Sequence, residues 1–232
     1  MDIDLNLDGA IRPGLDLLGN EIVIALKKRS RFKQNPEIYR PGLVLGCPDR
    51  SLLEYELARM EQVHAGLGRY TYASQEAFTD VSEVELIIKR PPPESPVQAI
   101  PSGVGERIIE YYLQWVRKHL EPGSDSDTYG ETVTADVAAL QGIFERITLG
   151  KYVAECKFRQ DPDRYRETQG DSKAIRSLIV NPEREKSVID VVVRLAEHYD
   201  FDVKQAREIL QWVIETTIEV EIRYIQHCLS PS

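Results

Sequence analysis

The stretch IFERITLGKYVAECK, residues 143–157, decides the fold. Ile143, Arg146, Gly150, Val153 and Lys157 follow one another at steps of three and four, so a single helix face carries aliphatic residues, a glycine and two cations. Arg146 and Lys157 lie about three turns apart on that stripe. Burying a cation is costly unless an anion meets it, so such a helix faces either a carboxylate-bearing helix or an anionic ligand.

Candidate carboxylates sit on similar stripes further along. Asn181 and Glu185 are four residues apart where a helix begins, with Pro182 suited to its first position. Leu210, Val213, Thr217 and Glu221 continue at steps of three, four and four, so a threonine and an acid extend an apolar stripe. Taken singly, each pair reads as structural, with Glu185 and Glu221 as buried salt-bridge partners of Arg146 and Lys157. Taken together, cations, acids and neutral hydrogen-bonding groups on three helices read as one polar pocket inside a helical bundle.

Working outward, helical periodicity dominates and the class is all-α. Helices are expected over Pro13 to Gln34, over Ser51 to Leu67 with Ser51 and Glu54 as a capping box, and over the short segment Ser82 to Lys89. The loop Arg90 to Pro96 is too rich in proline for a helix. Gly105 to Leu120 is the next helix, and its Tyr111, Tyr112 and Trp115 suit a core. Glu121 to Gly130 (EPGSDSDTYG) has turn chemistry throughout. Beyond it one long helix is expected over Asp136 to Gln160, then a short helix or loop over Asp161 to Gly170. Two long helices close the chain, Pro182 to Tyr199 and Val203 to Leu229, the second capped by Asp202 with Gln205.

A chain of 232 residues with 42% hydrophobic content can bury a sizeable core and is short enough for one domain. Its 38 acidic against 29 basic residues disfavour nucleic acid and anionic membrane as partners, so a cationic site has to be local and enclosed. Cys47, Cys156 and Cys228 are odd in number and far apart, which suits a reduced compartment. The amino terminus is acidic and no apolar run reaches about 18 residues, so neither a signal peptide nor a membrane span is expected and the location reads as cytosolic. His64, His119, His198 and His227 lack metal-ligand spacing, and no serine or cysteine stands in a nucleophile motif. The chemistry this set of residues suits is binding or rearrangement of a small polyanion, where fixed charges act and nothing need be attacked.

These segments resemble the all-helical, fungal and plant type of chorismate mutase. Glu145 to Phe158 is similar to that family's R-x-x-x-G-K-[FY]-V-A-E-x-K-F helix, and Glu215 to Glu221 to its closing T-x-x-V-E segment. Upstream, Lys28 to Phe32 with Ile38-Tyr39 and Pro41-Gly42 resembles the family's R-S-x-F and Y-x-x-x-x-P-G elements, and Ser51 to Tyr70 its second helix. The resemblance implies an enzyme that rearranges chorismate to prephenate with no cofactor. It assigns Arg12 and Arg146 to the two carboxylates of chorismate, and Lys157 to a carboxylate and the ether oxygen. Asn181 and Glu185 fall on the ring-hydroxyl side, Thr217 beside a carboxylate, and Glu221 at the ether oxygen opposite Lys157.

The resemblance further implies a homodimer, in which regulated members bind tryptophan or tyrosine as effector at the interface. Arg69, Gly130 and Thr134 match that site. Gly68 replaces the second arginine of a pair and Glu131 replaces a serine, so feedback control is expected to be weakened. Two rival readings are a lyase acting on isochorismate and a non-catalytic helical binding protein. The Glu221 acid argues against the first, and the complete set of site residues against the second.

Overall fold

The computed structural model describes residues 5–91 and 93–230. Among these residues the regular structure is entirely helical. A single π-turn, Leu7–Ile11, is started by Asn6, whose side chain accepts from the Gly9 amide at 2.8 Å, and runs directly into α1, Arg12–Arg29. This helix ends well before Gln34. Arg29 sits fully buried at its terminus and donates to the carbonyls of Phe32, Lys33 and Gln34, which satisfies those groups outside a helix.

The next helix, α2, spans Leu52–Gly66 with both halves of the expected capping box in place. The helix expected over Ser82 to Lys89 does not form. That segment turns back so that the Ile87 amide donates to the Gly66 carbonyl, leaving Leu86 and Ile87 exposed. Eight residues make a marginal helix unless an apolar face is packed, and here none is. Proline 91 also biases Arg90 away from helical backbone. The loop that follows is irregular as expected, apart from Pro92, which lies outside the described residues.

Helix α3, Gly105–His119, buries Tyr112 and Trp115, while Tyr111 stacks on Trp212 with ring centroids 4.0 Å apart. The expected long helix is two, α4 over Tyr129–Thr148 and α5 over Gly150–Gln160. It starts earlier than expected, at Tyr129, so that Asp136 is a buried mid-helix residue. The break at Leu149 is slight. Its amide still donates to the Glu145 carbonyl, and its own carbonyl accepts from Tyr152 and Val153, so the stripe from Arg146 to Lys157 keeps one face.

Two short helices follow, α6 (Pro162–Arg166) and α7 (Ser172–Ile179), the latter unassigned by periodicity. The long α8 (Pro182–His198) and α9 (Val203–Leu229) match their expected bounds to within a residue, α9 capped by Asp202 accepting from the Lys204 and Gln205 amides. Helix α1 packs mainly on α4, whereas α9 packs on α4, α5, α7 and α8. One cluster of buried side chains runs from Leu7 to Ile225 through all the long helices. No helix among the described residues is long and apolar enough to cross a membrane.

Candidate active site

Where α9 crosses α4 and α5, Gly150 sets the spacing. A Cβ there would lie 2.9 Å from Thr217 Cγ2 and 3.2 Å from the Thr217 carbonyl oxygen, so only glycine lets the helices approach this closely. The contact holds Thr217 and Glu221 of α9 beside Arg146 and Lys157. These four residues line a cavity of about 750 Å³ whose other walls come from the start of α1, from α6 and from the first turn of α8. Arg12, Asn181 and Glu185 line the same cavity, so all seven residues expected at the substrate site lie together. Leu15, Val153, Val188, Ile214 and Ile218 supply apolar wall between them.

The charges in this cavity are unequally satisfied. Lys157 Nζ donates to Glu221 Oε2 at 2.8 Å and to the Ile179 carbonyl at 2.9 Å, so this pair takes the form of a buried salt bridge. The companion pair does not exist. Arg146 is only 4% exposed, yet among the described residues it makes no ion pair, and its Nε has no hydrogen-bond partner. Burial lowers its pKa to about 10; Asp16 and Glu221 oppose that fall, and the nearby Arg184 adds to it. A desolvated guanidinium beside an open cavity is a receptor for an anion.

The acids respond to the same enclosure. Burial pushes the Glu221 carboxyl above its ordinary range, with Lys157 and Arg146 pulling it back and Glu185 reinforcing the rise. Glu185 is raised too, first by burial and then by Glu215, against Arg176 and Lys157. A carboxyl displaced upward retains its proton to higher pH and can then donate.

The neutral groups are anchored by the backbone. Asn181 caps α8, its Oδ1 accepting from the Arg184 amide at 3.0 Å, which leaves the amide nitrogen as its free donor end. The buried Thr217 hydroxyl donates to the Val213 carbonyl at 2.7 Å. Arg12 stands at the junction of the π-turn with α1 and pairs with Asp8 one turn back. Periodicity missed Asp16, Arg164, Tyr165 and Arg184, which also line the cavity. Asp16 was within reach, since it lies one turn after Arg12 on the same helix face.

The residues expected at an effector site are not gathered in one place. Gly130, Glu131 and Thr134 line a groove of about 800 Å³ between α2 and α4, together with Lys28, Arg31 and Arg59. Arg69 lies apart from it, beyond the other end of α2, where its Nη2 donates to Glu145 Oε2 at 2.7 Å. Gly68 has φ +88°, and the guanidinium of Arg90 fills the space beside it, donating to its carbonyl and to Thr71 Oγ1.

Comparison with known proteins bears on the cavity directly. The family described as chorismate mutase type II matches residues 128–222, which include all the cavity residues of α4 to α8 and end just past Glu221. The chorismate mutase of Schizosaccharomyces pombe is 31% identical over 235 residues, covering 93% of each chain. Among solved structures, the chorismate mutase of Candida albicans in complex with L-Trp superposes with a TM-score of 0.87 at 26% identity, covering 96% of this chain and 91% of that one. The structure of AtCM1 with tyrosine bound in its allosteric site gives a TM-score of 0.86 at 25% identity over 99% of both chains. With a relative of that identity aligned along nearly its whole length, and with the family's motifs meeting around one anion-receptive cavity, this chain belongs to the chorismate mutase family.

Proposed function

We propose that this cavity is where chorismate rearranges to prephenate. The observation that carries the reading is Arg146, a buried guanidinium with no protein counter-ion, facing a space large enough for a small dianion. The reaction is intramolecular. An enzyme therefore has to hold the compact conformer and stabilise the charge that develops as the carbon–oxygen bond breaks, and nothing needs to be attacked.

In this reading Arg146 takes one carboxylate of the substrate. Arg12 takes the other, exchanging Asp8 for it. That pair is 30% exposed on the arginine side and 77% on the acid side, so the exchange gives up little. Lys157 donates to the ether oxygen from one side and a protonated Glu221 from the other, where negative character grows in the transition state. Asn181 and Glu185 meet the ring hydroxyl, and Thr217 supports a carboxylate after its hydroxyl turns from Val213. The chain works as one domain, supported by its continuous core, and in the cytosol, supported by cysteines that are odd in number and far apart in the sequence.

Pairing of two copies is part of the same proposal. A site using both Arg69 and the groove at Gly130 and Thr134 takes two chains, one supplying each part. Effector response is weak in this protein, because Arg69 is engaged by Glu145, Gly68 offers no second cation and Glu131 puts an acid in the groove. Adding tyrosine or tryptophan at subsaturating chorismate should change the initial rate little, and strong opposed responses would overturn that part. The reaction itself is tested by following loss of chorismate and appearance of prephenate. Lys157→Ala should fold normally and lose about two to three orders of magnitude in rate. Turnover like the wild type in that variant would remove Lys157 from the chemistry.

A further inference from the structure

Arg146 is not the only guanidinium turned toward the cavity. Arg184 lines it from the first turn of α8, between Asn181 and Glu185, and its Nη2 reaches across to Asp16 Oδ1 on α1. The root of this side chain is fixed, because its backbone amide donates to Asn181 Oδ1. Its head is loosely held, since the ion pair is about a third open to solvent, with side-chain exposures of 32% and 37%.

Asp16 has an unusual set of neighbours. It stands one turn after Arg12 on α1, pairs with Arg184, and is the carboxylate that most strongly supports the charge of Arg146. Arg184 acts on Arg146 in the opposite sense, as a like charge close by. Two guanidiniums brought together in a cavity repel unless an anion lies between them, and among the described residues Asp16 is the only carboxylate paired with either. It occupies the role that a ligand carboxylate fills when bound.

We infer that Arg184 is a further substrate-binding residue: it leaves Asp16 and closes, together with Arg146, on one carboxylate of the bound dianion, and Asp16 is the built-in carboxylate that holds the arm until then. The inference rests on the cavity being the chorismate site. A tie between α1 and α8 that served stability alone would have no reason to lie on the cavity wall beside Arg146, a buried cation with no ion pair among the described residues.

This arrangement makes the two partners of a single ion pair act in opposite directions. Arg184→Gln removes a carboxylate ligand and should raise KM about tenfold to a hundredfold, with kcat within a few-fold of wild type. Arg184→Lys should recover part of the loss, as a point charge without the guanidinium fork. Asp16→Asn removes the internal competitor and should lower KM by roughly threefold to tenfold. Inhibition by added prephenate should follow the same order, weaker in the first variant and stronger in the last. Thermal melting should change little in all three. If Arg184→Gln and Asp16→Asn both raise KM, or neither moves it, the pair is only a strap and the inference falls. A wild-type chain that does not convert chorismate would instead overturn the reading of the cavity, so the two failures are separate.

Discussion

Two arginines at opposite ends of the α1–α4 interface are equally hidden and oppositely treated. Arg29 is fully buried at the end of α1, and every part of its guanidinium is engaged: Nε with Asp136, Nη1 with the Phe32 and Lys33 carbonyls, Nη2 with the Gln34 carbonyl and Tyr39. Asp136 is completed in turn by the hydroxyls of Tyr39 and Tyr112, each at 2.7 Å. Burial pulls the Arg29 pKa down, yet Asp136 together with Tyr39 and Tyr112 more than offsets it and the net shift is upward. Arg146, at the other end of α4, has no such partners, and there burial prevails. Burial of charge therefore does not mark a functional site. Unmet bonding capacity beside a void does.

The comparison breaks most easily at Arg29. Arg29→Met leaves Asp136 as a buried acid without its cation, and removing one partner of such a pair typically costs about 3–5 kcal/mol. Chemical denaturation should show that loss, or the variant should fail to accumulate as folded protein. Any residual folded fraction should keep its cavity and its activity per molecule. A stable Arg29→Met variant would mean that the cluster is not structural.

The reciprocal change, Arg146→Met, should leave thermal stability unchanged or slightly raised, because it replaces a desolvated, unpaired cation with an apolar chain of similar length. Activity should fall by roughly two to three orders of magnitude. If melting fell as far as for Arg29→Met, the two arginines would be of one kind and the contrast would be lost.

How the two clusters read in the sequence differs for a physical reason. Arg146, Lys157, Thr217 and Glu221 were legible because each interrupts an apolar stripe whose period is local. Capping at Ser51 and Asp202 was legible for the same reason, since a cap bonds within one turn. Asp136 stands in the middle of α4 rather than at its start, and nothing local marks it as buried. What buries it is Arg29, a residue 107 positions away that no local pattern connects to it. Arg184 and Asp16 are 168 positions apart and each passes for a surface charge. The failed helix over Ser82 to Lys89 is the opposite case, a local apolar pattern for which the fold provides no surface to pack against.

A smaller effect tests the spacing that builds the site. Gly150→Ala puts a methyl group within 2.9 Å of Thr217 Cγ2 and 3.2 Å of its carbonyl oxygen, and the second atom is backbone that cannot rotate away. Overpacking of this kind costs about 1–3 kcal/mol. It should also push α9 off α5 and carry Glu221 away from Lys157, so activity should fall more than stability. A variant that lost stability but kept full turnover would show that the cavity tolerates a looser crossing.

The smallest effect at neutral pH, and the most specific, is expected at Glu221. Its carboxyl is raised by burial, while Lys157 and Arg146 limit the rise. Only the protonated form can donate to the ether oxygen, so activity should be fullest below the pKa in the substrate complex and decline as pH climbs through it. A bound dianion adds negative charge beside the carboxyl and moves that pKa further upward, toward the working range. Glutamine donates at every pH. Glu221→Gln should therefore keep substantial activity and lose most of the alkaline decline, whereas Glu221→Ala, which leaves Lys157 Nζ with only the Ile179 carbonyl, should be poor throughout. The measurement is kcat against pH for the three proteins. A Gln variant that retained the wild-type profile would place the titrating group elsewhere, with Glu185, the other raised acid on the cavity wall, as the next residue to substitute.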